Sequence, residues 1–189
     1  MQKPGRRLRL ALQSRKKPQM LRIGYVNLSK LPERFDVIDA RVTAWMARHG
    51  VTLARVALGV VFLWFGVIKF VPGWSPAADL AVRTIERLTF GLVDSSLALP
   101  ILAAWETAIG VGLLTGKFLR ATLFLLFLQM IGTITPLVMF PSETFRAFPH
   151  SPTLEGQYII KNLVLVTAGI VVGATVRGGR LRADPPGDA

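Results

Sequence analysis

Four uninterrupted apolar blocks constrain this chain more than any other feature. They lie at about 53–71 (LARVALGVVFLWFGVIKFV), 97–115 (LALPILAAWETAIGVGLLT), 119–140 (LRATLFLLFLQMIGTITPLVMF) and 158–176 (YIIKNLVLVTAGIVVGATV). Each approaches the ~20 residues that a helix needs to cross a hydrocarbon layer of ~30 Å. The blocks are continuous and lack the apolar/polar alternation of a barrel wall, which excludes strands. Composition agrees: 51% of the 189 residues are hydrophobic and only 18% are charged, with a mean hydropathy of +0.46. The expected fold is therefore all-α, an integral membrane four-helix bundle.

Lys and Arg asymmetry sets the expected orientation. Residues 1–50 hold 12 Lys+Arg against 3 acids. The connection between spans 2 and 3 is GKFLR, and the segment after span 4 is RGGRLR. Residues 72–96 instead set Arg83 and Arg87 against Asp79, Glu86 and Asp94, and the 141–157 loop sets Arg146 against Glu143 and Glu155. This pattern places both termini in the cytoplasm.

The flanks subdivide. Residues 1–32 are basic and too polar to cross a membrane, and a solvated cytoplasmic tail touching anionic lipid is expected. A mitochondrial transit peptide is the competing reading of that composition. Nucleic-acid binding is not expected, because no folded module accompanies the charge. The first thirty residues also lack the apolar run of a secretory signal. Residues 33–49 place Phe35, Ile38, Val42, Trp45 and Met46 at helical spacing, which predicts an interfacial amphipathic helix ahead of the membrane domain at 50–176. A second amphipathic helix is predicted at 77–92 between spans 1 and 2, with Ala81, Ile85, Leu88 and Leu92 on one face and Pro76 in its first turn. Residues 177–189 form a cytoplasmic tail.

The missing residue types narrow the chemistry. The chain has no cysteine and two histidines, His49 and His150, neither within a span. Thiol chemistry, cysteine-ligated metals and a bis-histidine haem between spans are excluded, and no metal site is expected. Phosphate loops and nucleophile elbows are absent as well.

Polar residues inside the apolar blocks are the remaining candidates, since such groups are costly in a membrane. In span 1, Gly59, Phe62, Gly66 and Lys69 share one helix face, and the two glycines permit close approach of a neighbour. Glu106 in span 2 is expected about 13 Å deep, with Gly110 on its face. An ionised carboxylate there needs a partner. Span 3 contributes Gln129, Thr133 and Pro136, and Pro136 should leave the Gly132 carbonyl free near Thr133. Span 4 contributes Lys161 and Asn162, the latter in a packing stripe with Gly169 and Gly173. Helix rises put Lys161 and Glu106 about 7 Å apart in depth. The expected arrangement therefore pairs Lys161 with Glu106 and leaves Lys69 for a ligand or for Glu155, in a polar pocket open to the outside.

These segments also carry a resemblance. FLWFGVIKFVP (62–72), WETAIGVGLL (105–114), TPLVMFPSE (135–143) and LEGQYIIKN (154–162) together resemble the YkgB-like membrane proteins, within the wider DoxX-like group of four-helix membrane proteins. The resemblance covers about residues 40–176 and is carried by Trp64, Gly66, Lys69, Phe70, Glu106, Thr135, Pro136, Glu155, Gly156 and Lys161. The first outer loop is shorter here than is usual in that family. The resemblance implies an inner-membrane protein of oxidative or reactive-chlorine stress defence, not catalytic by itself and acting through membrane oxidoreductase partners. It also leaves open a quinone-binding subunit of an oxidoreductase, in which a quinone head group would meet Lys69 or Lys161 and Glu106. The titratable Glu106 leaves open a third reading, a small proton-coupled transporter.

Overall fold

The computed structural model describes residues 33–183. The predicted tail at 1–32 lies outside the described residues, as do residues 184–189 of the C-terminal tail. The chain divides into two compact units, Met1–Ala40 and Arg41–Ala189. In the first, the described residues are helical, and Phe35, Val37 and Ile38 are exposed.

Helix α1 runs without interruption over Glu33–Ile68. The separate interfacial helix expected at 33–49 is therefore corrected. Pro32 and Pro72 bracket this stretch, no proline falls between them, and Gly50 alone costs a helix only about 1 kcal/mol. Helix α2 (Ala78–Leu88) follows, then α3 (Ser95–Thr115) and α4 (Leu119–Ile134). Two short turns, α5 (Pro136–Met139) and α6 (Pro141–Thr144), precede a small antiparallel hairpin of β1 (Phe145–Ala147) and β2 (Ser151–Pro152). Helix α7 (Leu154–Ala174) completes the described elements. The hairpin departs from the all-helical expectation and occupies only the connection between α4 and α7.

Local chemistry explains where these helices begin and end. The Asp94 carboxylate caps α3 by accepting from the Ser96 amide at 2.8 Å, and that bond holds its pKa below the usual carboxylate range. Gly116, with φ +70°, ends the same helix in the left-handed conformation that glycine adopts without strain. Thr153 caps α7 through Gly156 N, so this helix starts four residues before the predicted span. At the far end of α4, Pro136 cannot donate, yet the Gly132 carbonyl is not left free. It accepts from both the amide and the hydroxyl of Thr135, the latter at 2.6 Å, which corrects the expected open acceptor near Thr133.

Four segments are long and apolar enough to cross a membrane: Val37–Ile68, Ser95–Thr115, Leu119–Met139 and Leu154–Ala174. They mark the chain as a multi-pass membrane protein. All four long helices contribute to one apolar core, built from Leu58 and Phe62, Ile109 and Leu113, Leu123, Leu126 and Met130, and Val172. Large apolar side chains such as Trp64, Phe124, Ile131 and Val164 point outward, as expected where the solvent is hydrocarbon.

Helix α2 forms in the predicted place but ends at Leu88, and its packing face is rotated from the predicted one. Leu80 and Thr84 are buried, while Leu88 and Leu92 are exposed. The predicted stripe ignored Thr84, whose hydroxyl is satisfied within the helix by the Leu80 carbonyl at 2.6 Å and so can be buried. Pro76 precedes the helix instead of lying in its first turn.

Candidate functional site

The register between α1 and α3 creates the site. A β-carbon on Gly66 would come within 2.6 Å of Thr107 N, and one on Gly110 would strike the Leu63 backbone. Side-chain-free positions on both helices therefore let the backbones touch, as small residues do between membrane helices. Gly59 packs against Leu114 in the same seam, one turn before Phe62. Lys69 lies just beyond the end of α1 and folds back along it, donating to the Phe65 carbonyl at 3.1 Å. This brings its ammonium to the Glu106 carboxylate.

Lys69 Nζ donates to Glu106 Oε2 at 2.6 Å, and Gln129 Nε2 donates to Glu106 Oε1 at 2.8 Å. Three helical segments thus converge on one buried carboxylate, each of whose oxygens accepts one hydrogen bond. A carboxylate only accepts, so the Gln129 amide must present nitrogen to it and oxygen away from it. That oxygen is buried and, among the described residues, has no hydrogen-bond partner. The Gln129 carbonyl on the backbone accepts from the Thr133 hydroxyl at 3.0 Å, which ties Thr133 to the cluster without bringing it to Glu106. Burial is incomplete: the Lys69 and Glu106 side chains keep 12% and 11% of their exposure.

Lys161 is not part of this cluster. It is exposed on α7, with its ammonium 5.5 Å from the centre of the Tyr158 ring. The expected Lys161–Glu106 pair is corrected to Lys69–Glu106, and Lys69 does not meet Glu155, which is exposed. Depth along a span says nothing of azimuth. Helix α7 packs on α4, not on α3, so its polar turn faces elsewhere. On α7, Asn162 is half-buried, Gly169 packs against Leu126 and Phe127, and Gly173 lies against Leu123.

Comparison with protein-family models, curated proteins and solved structures finds no match.

Three further polar contacts brace the site, and none was singled out from the sequence. Arg55 donates to the Leu113 and Leu114 carbonyls, closing the last turn of α3 with a cation where the helix dipole favours one. The Trp105 indole donates to the Leu125 carbonyl at 3.2 Å and fixes α3 against α4. Away from these contacts, Arg83 of α2 forms a two-pronged pair with Glu143 at 2.7 and 2.5 Å, while Arg87 donates to the Met139 carbonyl. Both guanidiniums lie over the Phe140 ring, at 5.1 and 4.8 Å. Arg55 had a readable signal, a cation near the start of an apolar block. The Arg83–Glu143 pair joins residues sixty apart and had none.

Chemically, the Lys69–Glu106–Gln129 cluster is neutral overall and nearly complete within itself. An ammonium carries three donors, and two are used here, by Phe65 and Glu106. The spare N–H and the unpartnered Gln129 oxygen are a donor and an acceptor that a small polar group could engage.

Proposed function

We propose that this chain is a DoxX/YkgB-like protein of the bacterial inner membrane that serves oxidative or reactive-chlorine stress defence through partners, without catalysing a reaction alone. The observation that carries the reading is the Lys69–Glu106 bond, since it joins two of the four motifs that together carry the resemblance, FLWFGVIKFVP and WETAIGVGLL. A buried ion pair is weak support for stability but an effective device for fixing one helix register. On this reading it sets the surface that partners recognise. Cytoplasmic placement of both termini rests on the Lys and Arg distribution. Reporter fusions at residue 118 and after residue 180 should be active on the cytoplasmic side, and external activity at either would refute that topology.

The direct test is complementation. Cells lacking the gene should regain hypochlorite survival with the wild-type chain and fail to regain it with Lys69→Ala or Glu106→Ala at equal membrane abundance. Full rescue by both variants would overturn the reading.

A second reading has its own observation. The spare Lys69 proton is a donor that a quinone or quinol oxygen would accept, and the unpartnered Gln129 oxygen is an acceptor for a quinol hydroxyl. Quinone co-purifying with the wild type but not with Gln129→Leu would favour a quinone-binding subunit. Proton flux across liposomes by the purified chain alone would instead favour a transporter.

A further inference from the structure

At the end of the bundle where α3 turns into α4, a groove of about 490 Å³ opens between the start of α4 and the end of α7. Arg120 and Arg177 line it together with Leu123, Phe124, Phe127 and Val176. The two arginines sit at the helix ends, whereas Phe127 lies two turns further along α4, about 10 Å deeper at 1.5 Å per residue. Charge and grease are therefore separated along the membrane normal. No acidic residue lines the groove, and among the described residues neither guanidinium forms an ion pair.

We infer that this groove is a binding site for an anionic phospholipid, with the phosphate between Arg120 and Arg177 and an acyl chain along Phe124 and Phe127. Guanidiniums suit phosphate because their planar donors can engage two oxygens at once. Basic pockets between spanning helices are where anionic head groups are held. A free phosphate would use the two cations but gain nothing from the aromatic wall. A second arginine-lined groove makes the contrast plain. There Arg83 is already neutralised by Glu143, and Glu86 joins the lining, so no net positive charge is offered to an anion. Gly173 supplies a steric handle as well. A β-carbon there would make ordinary contact with Leu123 at 3.6 Å, so a larger side chain would enter the groove without forcing the helices apart.

The test uses the full chain in phosphatidylcholine nanodiscs doped with a diazirine-bearing phosphatidylglycerol, with adducts mapped by peptide mass spectrometry. Adducts are expected on the peptides covering 119–130 and 166–177. The Arg120→Ala/Arg177→Ala variant should lose labelling there about thirtyfold, the factor that removal of two interfacial cations brings. Any labelling of the basic segment at 1–32 should stay unchanged. Gly173→Leu should also reduce labelling with both charges intact. Both arginines are exposed, so the double variant keeps its core. The inference is overturned if either variant labels like wild type at these peptides, if a diazirine-bearing phosphatidylcholine labels them equally, or if equimolar inorganic phosphate suppresses labelling as well as unlabelled phosphatidylglycerol does.

Discussion

Among the described residues are two ion pairs of nearly equal length in very different surroundings. Lys69–Glu106 spans 2.6 Å with side chains only 12% and 11% exposed, while Arg83–Glu143 spans 2.5 Å with 45% and 39% exposed. Bond length does not separate them; surroundings do. At the outer surface, water competes for both charges and screening is strong, so the pair contributes little. Within the spans, neither charge has water to return to, and each depends on the other. The inner pair may not be judged by what it adds to the intact fold; its weight appears when one partner is removed.

Breaking that comparison from the inside should give the largest effect. Lys69→Ala strands the Glu106 carboxylate and should destabilise the purified protein by about 3–5 kcal/mol, read as a lowered melting temperature in detergent. Lys161→Ala, by contrast, should leave that temperature unchanged, since Lys161 is exposed and takes no part in the pair. Next in size is Gly110→Val, which drives a side chain into the Leu63 backbone and should cost about 1–3 kcal/mol by the same assay. Arg55→Ala removes the donor to two carbonyls at the end of α3 and should cost about 1.5 kcal/mol. Of the variants that remove a contact named above, Arg83→Ala should have the smallest effect.

The outer pair has a pH signature that sharpens the contrast. Hydrogen bonding to Arg83 holds the Glu143 carboxyl below its usual range, and the same contact raises the Arg83 pKa. Because Glu143 binds its proton less readily folded than unfolded, its contribution is present above the ordinary carboxylate pKa and lost as pH falls through the folded value. Melting scans of wild type and Glu143→Gln should therefore converge slightly below about pH 4 and separate slightly above it. A wider separation at low pH would reverse the assigned sign.

Much of the fold was legible because hydrocarbon leaves few choices. Apolar blocks of about twenty residues read directly as helices, and all four appear. Their ends were less legible. The caps at Asp94 and Thr153 and the unbroken passage through Gly50 depend on single hydrogen bonds and on a modest glycine penalty. The chemistry of the inner cluster was legible in kind: Lys69, Glu106, Gln129 and Thr133 were all singled out as costly residues in apolar surroundings. The choice of partner was not. Depth along a span follows from counting residues, but which helices face each other depends on packing, here on Gly66 and Gly110 seating α1 against α3. Lys161 came within side-chain reach of Glu106 in depth and yet takes no part in its pair.

The most direct measurement of the central claim is a double-mutant cycle on the inner pair. Lys69→Met and Glu106→Gln each leave one charge without its partner, whereas the combined variant leaves none. The purified single variants should melt roughly 5–15 °C below wild type, and the double variant should melt well above the lower of the two. A double variant that melts at or below that single variant would show that Lys69 and Glu106 act independently, and would contradict the account.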